Sequence, residues 1–145
     1  MPNHAPLALR AAAEVEQLHA FFVRWLDAVD PDPALTLERF TKVAARSFRL
    51  IPPGGAVLGR QAGIDWLTAS RASRGSRERP FVIGTDEVEA FEIGPGVCLV
   101  TYVERQDGPA GANVRRSTAL FRDAAGTPCG VEWLHVHETA IGAGT

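Results

Sequence analysis

A chain of 145 residues, 46% hydrophobic and 22% charged, is long enough for one domain with its own core, without disulfides or structural metal. A net charge of −2 supplies no global basic field, which argues against nucleic acid or anionic lipid as a partner. No run approaches the ~18 apolar residues of a membrane span and no signal-peptide pattern opens the chain, so a soluble cytoplasmic protein is expected.

Residues 1–10 hold two prolines and no period and read as a loose arm, with a single domain over 11–140 and a tail over 141–145. From Ala11 to Val29 the spacing of Val15, Leu18, Phe22, Trp25 and Val29 predicts an amphipathic helix, and His19 borders its apolar stripe. Asp30-Pro31-Asp32-Pro33 stops it. Asp32 with Pro33 is placed to start a second helix, with Leu37, Phe40, Val43 or Ala44, and Phe48 on its buried side. Leu50-Ile51 and Ala56-Val57-Leu58 flank the turn Pro52-Pro53-Gly54-Gly55 as a short hairpin. A third helix is expected over about Gln61 to Ser73, with Ile64, Leu67 and Trp66 inward and Gly75 placed to end it. Arg71, Arg74, Arg77 and Arg79 follow without interleaved aromatics, and are read as a solvated loop.

Four strands then follow: Phe81 to Ile93, with a bulge near Gly84 or Glu87, Val97 to Gln106, Val114 to Arg122, and Val131 to Thr139. Their short connections favour an antiparallel meander. The fold expected is α+β, in the order α-α-β-β-α-β-β-β-β. Cys98 and Cys129 form neither a disulfide framework nor a C-x-x-C motif and are read as reduced thiols.

The last strand carries the densest chemistry. Strict alternation puts Trp133, His135 and His137 on one face, with Glu132, Leu134, Val136 and Glu138 on the other. Two imidazoles beside an indole need hydrogen-bond partners when buried, which a cavity wall would supply. On the second strand of the meander Tyr102, Glu104 and Gln106 share a face; on the third, Ser117, Ala119 and Phe121 do. The cross-strand register is open, so whether Tyr102 and Glu104 join His135 and His137 is undecided.

The set Glu14-x-x-x-x-His19-x-x-Phe22-x-x-Trp25, Phe48-x-x-Ile51-x-Pro53-x-Gly55, Tyr102-x-Glu104-x-Gln106, Ser117-Thr118-Ala119-Leu120-Phe121 and Trp133-x-His135-x-His137-Glu138-Thr139 resembles the nuclear transport factor 2-like superfamily. Within it, the chain looks like a small branch related to the SnoaL-like polyketide cyclases. The resemblance spans about Glu14 to Thr139 and implies three N-terminal helices packed against a strongly curved sheet, a cone-shaped cavity, and dimerisation through the outer sheet face. Leu134 and Val136 are candidates for that interface.

Three functional readings follow. In the first, His135, His137, Tyr102 and Glu104 are the catalytic candidates for acid–base turnover of an apolar substrate, Tyr102 serving a developing oxyanion as a tyrosine does in ketosteroid isomerase. The catalytic aspartate of that family has no counterpart here. In the second, His135-x-His137 holds a metal with Glu104 or His19 as third ligand, a weak pattern, so no metal or cofactor is assigned. In the third, a non-catalytic pocket or dimerisation module binds a small apolar molecule, with Trp133, His19, Phe22, Trp25, Ser117 and Phe121 as its lining.

Overall fold

The computed structural model describes residues 5–142; the ends of the expected arm (1–4) and tail (143–145) lie outside them. Its elements run α1 (Leu7–Leu26), α2 (Glu38–Thr41), β1 (Ala44–Ile51), β2 (Leu58–Gly59), α3 (Arg60–Ser70), β3 (Val82–Gly94), β4 (Val97–Asp107), β5 (Asn113–Asp123) and β6 (Val131–Ala140). The strands form one open sheet in the order β2-β1-β6-β5-β4-β3. This is the expected α+β class, with one difference in pairing: β1 runs parallel to β6, and every other pair is antiparallel.

α1 begins earlier than its apolar period suggests. Pro6 precedes the first turn, where a missing N–H costs nothing. Arg10 then ties that turn down, donating to the Ala5 and Gly130 carbonyls and to Asp123 at 2.7 Å. Residues 7–10 are therefore helix, not arm. The helix stops at Leu26, where Asp27 turns extended and its carboxylate caps the Val29 N–H. Its buried stripe (Ala11, Val15, Leu18) packs against the inner sheet face, and Trp25 near its end packs toward α3.

The second helix is only one turn. Asp32 starts a turn instead, accepting from the Ala34 N–H through its side chain and from the Leu35 N–H through its carbonyl. Ala44 and Phe48, expected on a helix face, lie in β1, and the Trp133 N–H donates to the Val43 carbonyl just ahead of it at 2.7 Å. α3 ends at Ser70, and Ala72 (φ 52°) takes the left-handed position assigned to Gly75. Gly75 (φ 85°) serves another purpose: a Cβ there would sit 2.7 Å from the Phe81 backbone nitrogen.

Two bulges set the faces of the sheet. In β3 the register slips between Asp86 and Glu89, around Glu87 (φ 52°), at one of the two expected places. In β6, His135 pairs with Leu120 and Trp133 with Phe121, so Leu134 is an extra residue. Past it the alternation inverts.

The core lies between α1 and the inner rows Cys98–Phe121–Trp133 and Val100–Ala119–Val136. Phe121 is fully buried against Trp133 (ring centroids 4.4 Å apart). Phe22 is half-buried, with one face toward a cavity. Phe121→Ala should cost about 3–5 kcal/mol in denaturant unfolding. Phe22→Ala should cost about 1–2 kcal/mol less, because much of its void already exists. Equal losses would contradict this placement of the two rings.

Candidate active site

A cavity of about 370 Å³ lies between α1, α2, α3, β1 and the inner face of the sheet. Its apolar side is built by Leu18, Phe22, Leu26, Phe40, Phe48, Leu50 and Leu67, with the half-exposed Trp66 among them. Trp133 and Val136 continue that side onto β6. The remaining wall is polar and comes from His19, Tyr102, Glu104, Gln106, Arg115 and Glu138. Cross-strand register brings these together: Tyr102 pairs with Ser117 and Ser117 with Glu138, while Glu104 pairs with Arg115.

Hydrogen bonds, running in part through Asn113, join every residue of the polar wall except Tyr102. His19 Nδ1 lies 2.7 Å from the Val15 carbonyl and Nε2 lies 2.9 Å from Glu104 Oε1. The Val15 carbonyl can only accept, so Nδ1 carries a proton, and Nε2 faces the Glu104 carboxyl group. Burial alone would lower the pKa of His19, but the hydrogen bond and charge of Glu104, with the Val15 carbonyl, outweigh it and leave it raised. Burial likewise pushes Glu104 up, and His19 and Gln106 more than reverse it, leaving its pKa lowered.

The chain continues from Gln106, which donates to Glu104 Oε2, to Asn113, which donates to Gln106 Oε1 at 3.4 Å. Arg115 donates to Asn113 Oδ1 at 2.9 Å and to Glu138 Oε1 at 3.1 Å. Among the described residues nothing donates to Glu138 Oε2. Burial and the charge of Glu104 raise the pKa of Glu138, and Arg115 offsets only part of this. Tyr102 is pushed well above its ordinary value by burial and by both glutamates, so its hydroxyl, beside Ser117, stays a donor.

A second buried network stands behind Trp133. Glu14, wholly buried on α1, takes both arms of Arg39 (2.8 and 3.0 Å) and the Trp133 indole N–H (2.9 Å). Burial raises its pKa against the pull of Arg39. The Trp133 ring is thereby fixed in the cavity wall.

The sequence expectations divide at the Leu134 bulge. Trp133, His19, Phe22, Tyr102 and Glu104 line the cavity. Ser117 and Phe121 lie on the same sheet face but beneath the lining, and Trp25 is turned away, its indole N–H donating to the Leu67 carbonyl. His135 and His137 do not line the cavity. Strict alternation from Trp133 would have brought them in; the extra residue turns them to the outer face and brings Val136 and Glu138 in. There burial, Arg49 and His137 lower the pKa of His135. The sheet thus separates both histidines from Glu104 and His19, which removes the metal set proposed from sequence. Among the described residues no cluster of three or more His, Cys, Asp or Glu could hold a metal ion. Glu138 and Arg115 went unmarked because their faces depend on that bulge and on register.

A helix-packed, strongly curved, open six-stranded sheet with these connections is the nuclear transport factor 2-like, or cystatin-like, fold. It is shared with a Pseudomonas aeruginosa protein described as NTF2-like and of unknown function (TM-score 0.78, 23% identity, 92% of this chain and 99% of that one). It is shared too with an uncharacterised cystatin-like protein from Caulobacter vibrioides (TM-score 0.66, 19% identity, 94% and 89%). A CaMKII hub from S. rosetta also matches (TM-score 0.72, 12% identity, 97% and 99%). No protein-family model and no curated protein sequence matches the chain. Among the described residues no helix is long and apolar enough to cross a membrane.

The His19–Glu104 pair gives a testable pH signature. The raised pKa of His19 contributes stability that is complete below its unfolded value of 6.5 and is lost as pH rises through the folded value. The lowered pKa of Glu104 contributes stability that is complete above 4.5 and is lost as pH falls through its folded value. The pair is therefore most stabilising between those limits. His19→Ala, which strands the buried carboxylate, should cost about 3–5 kcal/mol there. Imidazole 15N spectra at pH 6, below the ordinary histidine value, should show both His19 nitrogens protonated; a neutral tautomer there would contradict the raised pKa.

Proposed function

We propose that this protein binds a small, largely apolar molecule in its cavity and turns it over by acid–base chemistry at Glu138 and Tyr102. The observation that carries this reading is the wall itself. An apolar chamber of about 370 Å³ faces a carboxylate oxygen to which none of the described residues donates and a phenol whose pKa lies well above its ordinary value. The two sit on strands either side of β5, roughly 10 Å apart at the backbone, with their side chains on one face. That leaves room for one small functional group between them.

Glu138 suits the part of base. Its raised pKa makes it a stronger proton acceptor than an exposed glutamate. It would remove a proton from carbon beside a substrate carbonyl while Tyr102 donates a hydrogen bond to the enolate oxygen; return of the proton to another carbon completes an isomerisation. Glu104, called catalytic from sequence, is held by His19 and Gln106 and serves as scaffold and local charge.

Solvent deuterium should enter the α-position of aryl methyl ketones faster with protein than with buffer, followed by NMR. Tyr102→Phe should lower that rate about 10²–10³-fold and Glu138→Gln further still. For the wild type the rate should fall as pH drops through the pKa of Glu138, above the usual carboxylate range. Exchange no faster than in buffer, with ligand bound, leaves the non-catalytic binding or sensing module.

A second reading concerns assembly. The outer face carries the cross-strand row Phe91–Leu99–Leu120–His135, and Phe91 and Ile93 are half-exposed. One of the similar structures is a kinase hub. A homodimer through this row fits both observations. Leu134 lies at its margin, whereas Val136, assigned to this face from sequence, points inward. Light scattering should show a dimer that Leu120→Glu converts to monomer; a monomeric wild type would dismiss it.

A further inference from the structure

The charged groups that line the cavity are His19, Glu104, Arg115 and Glu138, two of each sign. They are joined in two contacts, His19 with Glu104 at 2.9 Å and Arg115 with Glu138 at 3.1 Å. The buried pair behind the wall, Glu14 with Arg39 at 2.8 Å, is matched in the same way. Among the described residues every cation and anion of the lining has a counter-ion, although the buried Arg115 Nε–H has no hydrogen-bond partner. We infer that the ligand's polar head is uncharged, a ketone, aldehyde, ester or alcohol, and that carboxylates and amines of the same skeleton are rejected. This rests on the cavity being the binding site and names the class of molecule it takes.

The physical reason is desolvation. A charged head entering an apolar chamber gives up its water and needs an opposite charge that is not already committed. Here each candidate counter-ion already faces a neighbour of opposite charge. A neutral carbonyl needs only a donor, which Tyr102 supplies, and a neutral hydroxyl needs only an acceptor, which Glu138 Oε2 supplies.

The two pairs differ in how they respond to loss of their carboxylate, and the difference yields a sharp test. Arg115 cannot shed its proton. Glu138→Gln therefore leaves a fixed positive charge in the wall. His19 can shed one of its two. Glu104→Gln therefore leaves the wall neutral, with the amide donating to the freed ring nitrogen.

Calorimetric titrations at pH 8 with 2-acetylnaphthalene, 2-naphthoate and 2-naphthylmethylamine vary the head group on one ring system. The wild type should bind the ketone about 100-fold or more tightly than either ion. Glu138→Gln should gain naphthoate binding by a similar factor, whereas Glu104→Gln should keep the wild-type order. Circular dichroism confirms that both variants are folded. Wild-type binding of naphthoate or of the amine as tight as that of the ketone overturns the inference while leaving the cavity as the binding site. A Glu104→Gln variant that gains naphthoate as strongly as Glu138→Gln also overturns it, because the wall charge would then not be set by Arg115. If none of the three binds, both the inference and the binding reading fail.

Discussion

One extra residue in β6 decides what the cavity can do. With strict alternation from Trp133, the strand would present two imidazoles to the interior and turn Glu138 to the outside. Leu134 interrupts the pairing between Leu120 and Phe121, and past it each side chain changes face. Glu138 thereby enters the row of Tyr102 and Ser117, within reach of Arg115 on β5. The bulge carries no functional group of its own. It re-aims those that do, which is a frequent use of bulges beside sites.

Placing four ionisable groups in one wall is costly unless their partners are fixed, and the fold fixes them through its elements rather than through loops. His19 is held by its own helix, one turn back at the Val15 carbonyl, and then by β4. Arg115 spans β5 to β6. Glu14 joins α1 to Arg39 and Trp133. α1 is thus tied to the sheet by polar contacts as well as by its apolar stripe. Such pairs contribute little net stability beside an apolar replacement, but losing one member strands the other. The networks are better understood as setting positions and charge states than as holding the chain together. Glu138 faces the cavity with burial and Glu104 raising its pKa against a single arginine. A carboxylate perturbed in this way beside a pocket is where chemistry is expected.

Much of the architecture was legible in the sequence. The α1 stripe from Val15 to Trp25, the hairpin turn at Pro52–Gly55 and four strands at the right places follow from period and turn chemistry. The stretch from Asp32 to Phe48 was not. Its apolar spacing suits a helix face, but only Glu38–Thr41 is helical, and from Ala44 onward the tertiary pairing of β1 with β6 makes it a strand. The site divides on the same principle. His19, Tyr102, Glu104 and Trp133 stand on elements whose periodicity is unbroken up to them, and their facing follows from local pattern. Glu138, His135 and His137 lie beyond a bulge whose only trace is a register shift in three dimensions. Strands with one strongly apolar face declare their orientation; this segment has Val131 and Trp133 on one parity and Leu134 and Val136 on the other, so both registers bury similar side chains.

Fold likeness sets the limits of what can be carried over. The same curved sheet occurs in proteins of unknown function and in a kinase hub at 12–23% identity, so the scaffold is compatible with unrelated roles. What separates those roles is which faces of the sheet are occupied and by what. In this chain the inner face combines a largely apolar chamber with a phenol and a carboxylate oxygen to which none of the described residues donates, while the outer face carries the row Phe91–Leu99–Leu120–His135. Because side chains alternate across a strand, the two surfaces draw on different residues of the same segments. Substitutions at Leu120 or His135 therefore address assembly, and those at Tyr102 or Glu138 address the cavity, which lets the two roles be examined independently on one sheet.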